Sequence, residues 1–251
     1  MRNQLRAALY LLLHDAYLKG AVAITALLPL ASALVTLIPG VSPITFESVL
    51  ASAVGAANFG ASFAMAGLVA HDLASGGLRA ACLAPRGRLR YVASRAVLAG
   101  VVSVALMLWA VVVAAVLLVF PGVYVGHPDA LAELVGVIGV RVLVAWAYAA
   151  IAMLLTWASR RERGMGGVFL ISLAVSAGIL GLLVQMLPVM VAQLFSQELG
   201  SALLDGLRAV LLYPLVESFA VVDPLRSVAL PLVYVAVASA LSCRLWARRA
   251  V

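Results

Sequence analysis

The sequence predicts an all-α, polytopic membrane protein with six transmembrane helices. Hydrophobic residues make up 65% of the 251 residues and charged residues only 11%, far from the balance of a soluble domain. Apolar runs near twenty residues recur, and such runs cross the roughly 30 Å hydrocarbon core of a bilayer as helices. Basic residues fall in short clusters that are separated by pairs of these runs. Together these features indicate one membrane domain over residues 1–251.

The distribution of charge predicts the topology. Fourteen of the seventeen Lys and Arg residues lie in four clusters: Arg2/Arg6/Lys19, Arg79/Arg86/Arg88/Arg90/Arg95, Arg160/Arg161/Arg163 and Arg244/Arg248/Arg249. Seven of the ten acids lie in the alternate segments: Glu47, Asp129, Glu133, Glu198, Asp205, Glu217 and Asp223. Because Lys and Arg concentrate in cytoplasmic loops, both termini are expected in the cytoplasm. The net charge of +7 therefore suits anionic membrane lipids, and we expect no nucleic-acid partner.

The chain begins with a helix candidate over 2–19. Leucines and small residues recur there at helical spacing and polar residues collect on the opposite side, which is typical of a helix lying in the inner membrane interface. The alternative is that the first span simply begins early. The predicted spans follow at 20–38, 49–70, 91–120, 131–158, 165–192 and 227–246. Several exceed the minimum length, so they tilt or extend beyond the bilayer.

The segment 193–226 is too long for a simple hairpin between the last two spans. Leucine and valine recur in it at helical spacing, and Pro214 interrupts the pattern. We expect an external helical insertion of one or two short helices. Inserted, broken helices need cover from protein or a wet cavity, which would make this segment a gate. An ordinary amphipathic external hairpin is the other interpretation.

The segment 71–95 is the most specific in the chain. Asp72 ends a span, Ser75 precedes two glycines and can cap a short helix, and Pro85 can end that helix. The basic residues from Arg86 to Arg95 are expected to hold the next span at the lipid headgroups. The pattern predicts a stiff amphipathic rod at the cytoplasmic surface, suited to receiving a push from a soluble partner. Taken as a plain basic loop, it indicates topology alone.

This segment resembles the coupling loop of the ABC type-2 permeases, the membrane halves of bacterial ATP-binding-cassette exporters. Asp72, Gly76, Leu78, Pro85 and Arg88 match the pattern of that loop, and Gly77 stands where threonine is usual. The resemblance implies a set of ATPase-coupling residues: Asp72, Ser75, Gly76, Gly77, Leu78, Arg79, Pro85, Arg86 and Arg88. It also implies a bacterial inner-membrane permease that moves an amphipathic or hydrophobic substrate, such as a peptide antibiotic, lipid or drug.

The motor is expected on another chain. No Gly-x-x-x-x-Gly-Lys-Ser/Thr phosphate loop occurs, and the only lysine, Lys19, precedes the first span. The resemblance therefore implies a cytoplasmic ABC ATPase subunit that binds ATP and Mg²⁺, together with a second copy of this chain or a similar permease. The chain itself is predicted to bind no cofactor and to have no catalytic residues. No His, Cys or carboxylate cluster has the spacing of a metal site.

Small and polar residues inside the spans suggest a second site. Small residues at helical spacing let helix backbones approach closely, and in the resembled family spans two and five border the route between the membrane halves. This implies a translocation or dimer seam at Asn58, Gly60, Gly178 and Gln185, although packing within one chain is an alternative. Arg141 is a charge well inside a span. It either snorkels toward an acidic neighbour or contacts substrate.

Three further functions remain open at this point. One is a permease like that of a haem exporter, which is organised similarly. Another is a non-transporting membrane scaffold that anchors a cytoplasmic partner. The last is a lipid-modifying enzyme, for which the chain lacks a recognisable metal or nucleophile pattern.

Overall fold

A computed structural model of the chain describes residues 2–38, 42–75, 87–126, 134–159, 164–176, 179–194, 196–212, 215 and 223–247. Within these ranges the chain forms helices and two very short strands. The elements are α1 (Arg2–His14), α2 (Ala16–Val35), β1 (Ile44–Thr45), α3 (Phe46–Ala74), α4 (Gly87–Leu117), β2 (Val123–Tyr124), α5 (Leu134–Ala158), α6 (Met165–Ser176), α7 (Ile179–Leu194), α8 (Gln197–Val210) and α9 (Pro224–Ala247).

Membrane-length helices dominate the fold. Among the described residues, five helices are long and apolar enough to cross a membrane, namely α2, α3, α4, α5 and α9. The predicted all-α, membrane-spanning fold is confirmed at this level. The predicted span 165–192 is covered by the two shorter helices α6 and α7. A total of six spans therefore stays a prediction.

Helix α3 lies at the centre of the bundle. It packs against α2, α4, α5 and α6, and 94% of its most apolar stretch is buried, against 22% for α2 and for α9. Small residues permit this close packing. A Cβ atom added at Gly67 would overlap the ring of Tyr17 on α2, so only glycine fits there without a shift.

The two strands join the segments that flank α3 and α4 at one end of the bundle, here called the strand end. β1 directly precedes α3, and β2 follows α4 after a turn. They pair in parallel, with Ile44 opposite Val123 and Thr45 opposite Tyr124. Gly122 has a φ of 100°, a backbone conformation that glycine adopts without steric cost. The turn before β2 therefore requires glycine at this position.

The beginning of the chain differs from the predicted single helix over 2–19. Helix α1 ends at His14, and Asp15 caps α2 by accepting the Tyr17 backbone N–H at 3.3 Å. Aspartate is a favoured N-cap because its carboxylate accepts an otherwise unpaired helix N–H. Residues Tyr17 to Lys19 therefore belong to the first membrane-length helix. On α1, Ala8 and Leu12 are buried against the bundle, whereas Leu9 and Leu13 are exposed.

The segment 193–226 contains α8, whose N-cap is Ser196. Helix α8 packs against α7, and its last residue is followed by Leu211 in an extended conformation. Pro214, where the sequence pattern predicts a break, lies outside the described residues. The last helix, α9, begins with Asp223 accepting the Arg226 backbone N–H at 3.3 Å and with Pro224 as its first residue, which is a favoured helix start.

Candidate functional site

A buried cluster of ionisable side chains lies where α3 ends and α4 begins. Asp72 is one turn from the end of α3 and is 5% exposed. Its Oδ2 atom accepts a hydrogen bond from Arg95 Nη2 at 2.6 Å and another from the Tyr91 hydroxyl. Tyr91 and Arg95 stand four residues apart on α4, so they share one face of that helix. We call these three residues the Asp72 cluster, and the end of the bundle that holds them the Asp72 end.

Aromatic rings complete the surroundings of the guanidinium. The Cζ atom of Arg95 lies 5.0 Å from the centroid of the Tyr91 ring, within the range of a cation–π interaction. Trp157, near the end of α5, is buried and its ring centroid lies 6.3 Å from that of Tyr91. The cluster therefore joins three membrane-length helices, α3, α4 and α5, at the Asp72 end.

The hydrogen-bonding capacity of Arg95 is only partly used. Arg95 is 5% exposed, and its buried Nε and Nη1 atoms have no hydrogen-bond partner among the residues that the structure describes. Buried polar groups without partners are rare in folded proteins and are costly. A second arrangement of the helices that offers acceptors to these atoms would therefore compete with the arrangement seen here.

The Asp72 cluster lies within the segment 71–95, on both sides of the connection between α3 and α4. Residues 76–86 connect α3 to α4, and the cluster fastens the two flanks of this connection to each other. An ion pair removed from water depends strongly on both of its members, because loss of either one leaves a buried, uncompensated charge. Force applied to the connection therefore acts on α3 and α4 together while the pair is intact.

The structure places the predicted coupling residues as follows. Asp72 is buried in the cluster. Ser75 is exposed and is the C-cap of α3, with an αR backbone conformation and its N–H bonded to the His71 carbonyl. The short helix that Ser75 is predicted to cap lies outside the described residues, so that role stays a prediction. Arg88 falls in the first turn of α4. Gly76, Gly77, Leu78, Arg79, Pro85 and Arg86 lie outside the described residues.

The location of the Arg95 side chain differs from the predicted one. The sequence pattern assigned it to the lipid headgroups with the other basic residues of this segment, but its guanidinium is buried against Asp72. Tyr91 was not singled out at all. Their spacing of four residues at the start of a span, opposite an acid at the end of the preceding span, is the signal that indicates such a cluster.

The predicted seam residues are partly described. Asn58 is 1% exposed, and its side-chain oxygen has no hydrogen-bond partner within the described ranges. Gly60 faces α2, where a Cβ would stand 3.2 Å from Thr25 Oγ1 and 3.3 Å from Ala21 Cβ. The close approach at Gly60 is thus used within the chain, and a seam between subunits stays a prediction. Gln185 falls in α7, and Gly178 lies outside the described residues.

Arg141 is buried inside the bundle. It lies on α5 and is 3% exposed, so its side chain faces protein and does not extend along a lipid-facing surface. An ionisable residue in this position is expensive in a membrane and faces partners or a wet cavity. Glu133, the acidic neighbour proposed from the sequence, lies outside the described residues.

Comparisons with family models and curated proteins found no match. In the part of the chain that the structure describes, no group of three His, Cys, Asp or Glu residues is placed to hold a metal ion. The Asp72 cluster and the sequence of the loop that it flanks are thus the features that bear on function.

Proposed function

We propose that this chain is the membrane-embedded permease subunit of an ABC exporter. A separate cytoplasmic ATPase subunit would bind ATP and Mg²⁺ and press on residues 76–86. The proposed assembly contains two permease subunits, either two copies of this chain or this chain with a similar one, in a bacterial inner membrane. The proposed topology has six spans, with α6 and α7 together making the fifth, and both termini in the cytoplasm.

The observation that carries this proposal is the Asp72 cluster. A loop that transmits force needs flanks that do not yield independently, and Asp72, Tyr91 and Arg95 fasten those flanks together. Since α3 contacts four other helices, a push on the loop is distributed through the bundle. Alternating access by rocking of such rigid elements is the general mechanism of transporters.

The cargo follows from the chemistry of the helices. The membrane-length helices carry few charges, and a path without charged groups gives a small hydrophilic ion little to bind. An amphipathic or hydrophobic substrate, such as a peptide antibiotic, lipid or drug, suits such surfaces better. The chain is accordingly proposed as a transport subunit with no catalytic residues of its own.

Reconstitution with an ATPase tests the proposal. The full chain would be co-expressed in turn with each ABC ATPase of its source genome, and any complex that forms would be purified and placed in nanodiscs. Three probes would be added in turn: a cationic amphipathic peptide, a fluorescent phospholipid and a hydrophobic dye. We expect a stable complex in which at least one probe stimulates ATP hydrolysis severalfold. The control is the ATPase alone, which should not respond.

Other outcomes identify other functions. A stable complex without stimulation by any probe supports a membrane anchor or scaffold. Stimulation by haem, added as a fourth probe, and by none of the other three supports a permease like that of a haem exporter. Chemical change of the phospholipid by the chain without the ATPase supports a lipid-modifying enzyme. Each of these results would contradict the proposed export of amphipathic cargo.

A further inference from the structure

A groove lies on the outer surface of the bundle between α2 and α4. Its volume is about 380 Å³, which falls in the range of roughly 300–1,000 Å³ that small-molecule sites occupy. Its walls are Leu18, Lys19, Val22, Ala23 and Ala26 of α2 and Trp109 of α4. Apart from the lysine, the lining is apolar. The groove therefore suits a hydrocarbon ligand with an anionic end.

The shape of the groove follows from helix geometry. Leu18, Val22 and Ala26 stand one turn apart on α2, so the apolar wall extends about 12 Å along the helix axis. The small side chains of Ala23 and Ala26 leave the space that the groove occupies. An extended acyl chain lying parallel to the spans matches this elongated, apolar form.

Trp109 closes one side of the groove. Its indole N–H donates a hydrogen bond to the Val22 carbonyl oxygen at 3.2 Å. Tryptophan is enriched at membrane–water interfaces because its N–H needs a polar partner. Here α2 supplies that partner, so the ring presents an apolar face to the groove. This hydrogen bond also fixes the distance between α2 and α4, which keeps the groove open.

Lys19 supplies the charge at one end. It is the only lysine in the sequence, it is exposed, and its ammonium group makes no ion pair with the residues that the structure describes. Lys19 stands in the first turn of α2, near the end of this span, where a lysine can extend its ammonium group to the membrane interface. The nearby Asp15 carboxylate accepts the Tyr17 backbone N–H as the helix cap. The ammonium group is thus available to an anion outside the protein.

We propose that this groove binds one anionic phospholipid, with an acyl chain along Ala23 and Ala26 and its phosphate at Lys19. A zwitterionic phospholipid has the same chains and phosphate, but its headgroup cation offsets the attraction to the lysine. The groove therefore discriminates by net headgroup charge. This site does not depend on the proposed transport function, since it requires only that α2 and α4 span a membrane.

Native mass spectrometry of the detergent-purified full chain tests the site. Phosphatidylglycerol and phosphatidylcholine with identical acyl chains would be titrated separately, and the first bound lipid counted. We expect about fivefold tighter binding of phosphatidylglycerol, because one basic residue near an anionic surface contributes about that factor. Lys19→Gln should remove the preference and leave phosphatidylcholine binding unchanged. The matched control Arg244→Gln, which changes another exposed cation, should retain it.

A second variant tests the apolar part of the groove. Ala23 is exposed, so Ala23→Phe fills the groove without disturbing the helix core. This variant should weaken the binding of both lipids several-fold. Equal binding of the two lipids to the unmodified chain would overturn the proposal. So would a full preference in Lys19→Gln, or unchanged lipid binding in Ala23→Phe.

Discussion

Helices α3 and α4 are joined at both of their ends, but by different kinds of interaction. At the strand end, backbone atoms of β1 and β2 pair, and the Ile44 N–H donates to the Gly122 carbonyl at 2.9 Å. At the Asp72 end, among the described residues, side-chain contacts of Asp72 with Tyr91 and Arg95 supplement the chain connection through 76–86. The first connection depends little on residue identity, whereas the second depends on one carboxylate and one guanidinium.

This difference suggests a division of roles. A backbone pair does not depend on side-chain charge, so it suits a fixed pivot. A buried ion pair contributes little net stability but makes its separation costly, because each member would be left uncompensated. Because two donors of Arg95 have no partner among the described residues, we expect the Asp72 end to be the connection that can exchange one arrangement for another. Variants at the two ends test this difference, and they are ordered here by the expected loss of stability.

Loss of the carboxylate charge should have the largest effect. Asp72→Asn leaves the Arg95 guanidinium buried without a counter-ion, which typically costs about 3–5 kcal/mol. The free energy of unfolding of the detergent-solubilised chain, measured by denaturant titration, should fall by about this amount. The sharper comparison is the double variant Asp72→Asn with Arg95→Gln, in which no charge remains.

The double variant should recover a large part of the loss. The amide side chains introduced at positions 72 and 95 can hydrogen-bond to each other, and no uncompensated charge remains. If the double variant is as unstable as Asp72→Asn, or less stable, the two residues do not act as a pair and the cluster has no coupled role.

Removal of the Tyr91 hydroxyl should have the next largest effect. Tyr91→Phe keeps the ring against Arg95 and Trp157 but deletes one hydrogen bond to a carboxylate, which is worth about 2 kcal/mol. The matched control is Tyr124→Phe at the strand end, since that side chain is 52% exposed. Differential scanning fluorimetry should detect a lower melting temperature for Tyr91→Phe alone. Equal shifts for the two variants would contradict the account.

Close packing of α2 on α3 gives a further test. Gly67→Ala introduces a Cβ that overlaps the Tyr17 ring, and such overpacking costs about 1.5 kcal/mol. Gly55→Ala changes the same helix at a position with nothing within 4 Å of the new atom, and it should be neutral or slightly stabilising. Denaturant titration of both variants checks the difference. A destabilised Gly55→Ala would show that the new methyl group itself, and not the contact with α2, is responsible.

The smallest effect is expected at the strand end. Gly122→Ala places a side chain at a φ of 100°, which costs about 1 kcal/mol. The helical control Gly136→Ala meets no atom within 4 Å and should not be destabilising. The same titration measures both. A loss at Gly122 larger than that of Asp72→Asn would reverse the proposed ranking of the two ends.

Much of the fold can be predicted from the sequence, because hydropathy determines where the long helices lie in the chain. The predicted span 49–70 corresponds to α3, 131–158 to α5 and 227–246 to α9, each within a few residues of its observed bounds. The division at His14 was missed because the leucine pattern continues past Asp15, although an aspartate before an apolar run is itself a cap signal. The predicted span 165–192 corresponds to α6 and α7, whose junction at 177–178 lies outside the described residues.

The candidate site was only half predictable. Asp72 was found because an acid at the end of a span is unusual. Arg95 was assigned to the headgroups, since basic residues after a cytoplasmic loop commonly lie there. Its pairing with Asp72 requires α3 and α4 to pack side by side in one register, and hydropathy carries no information about register. Tyr91 has no sequence signal beyond sharing a helix face with Arg95.

The most direct test of the central claim is photo-cross-linking from the loop that the Asp72 cluster flanks. A photoreactive amino acid would replace Leu78 in the full chain, with Tyr124 at the strand end as the matched position, and the products would be identified by mass spectrometry of whole cells. The account predicts that Leu78 cross-links to a cytoplasmic ATPase that contains a Gly-x-x-x-x-Gly-Lys-Ser/Thr motif, and that Tyr124 does not. Products from Leu78 that contain only lipid or an extracytoplasmic protein would contradict it.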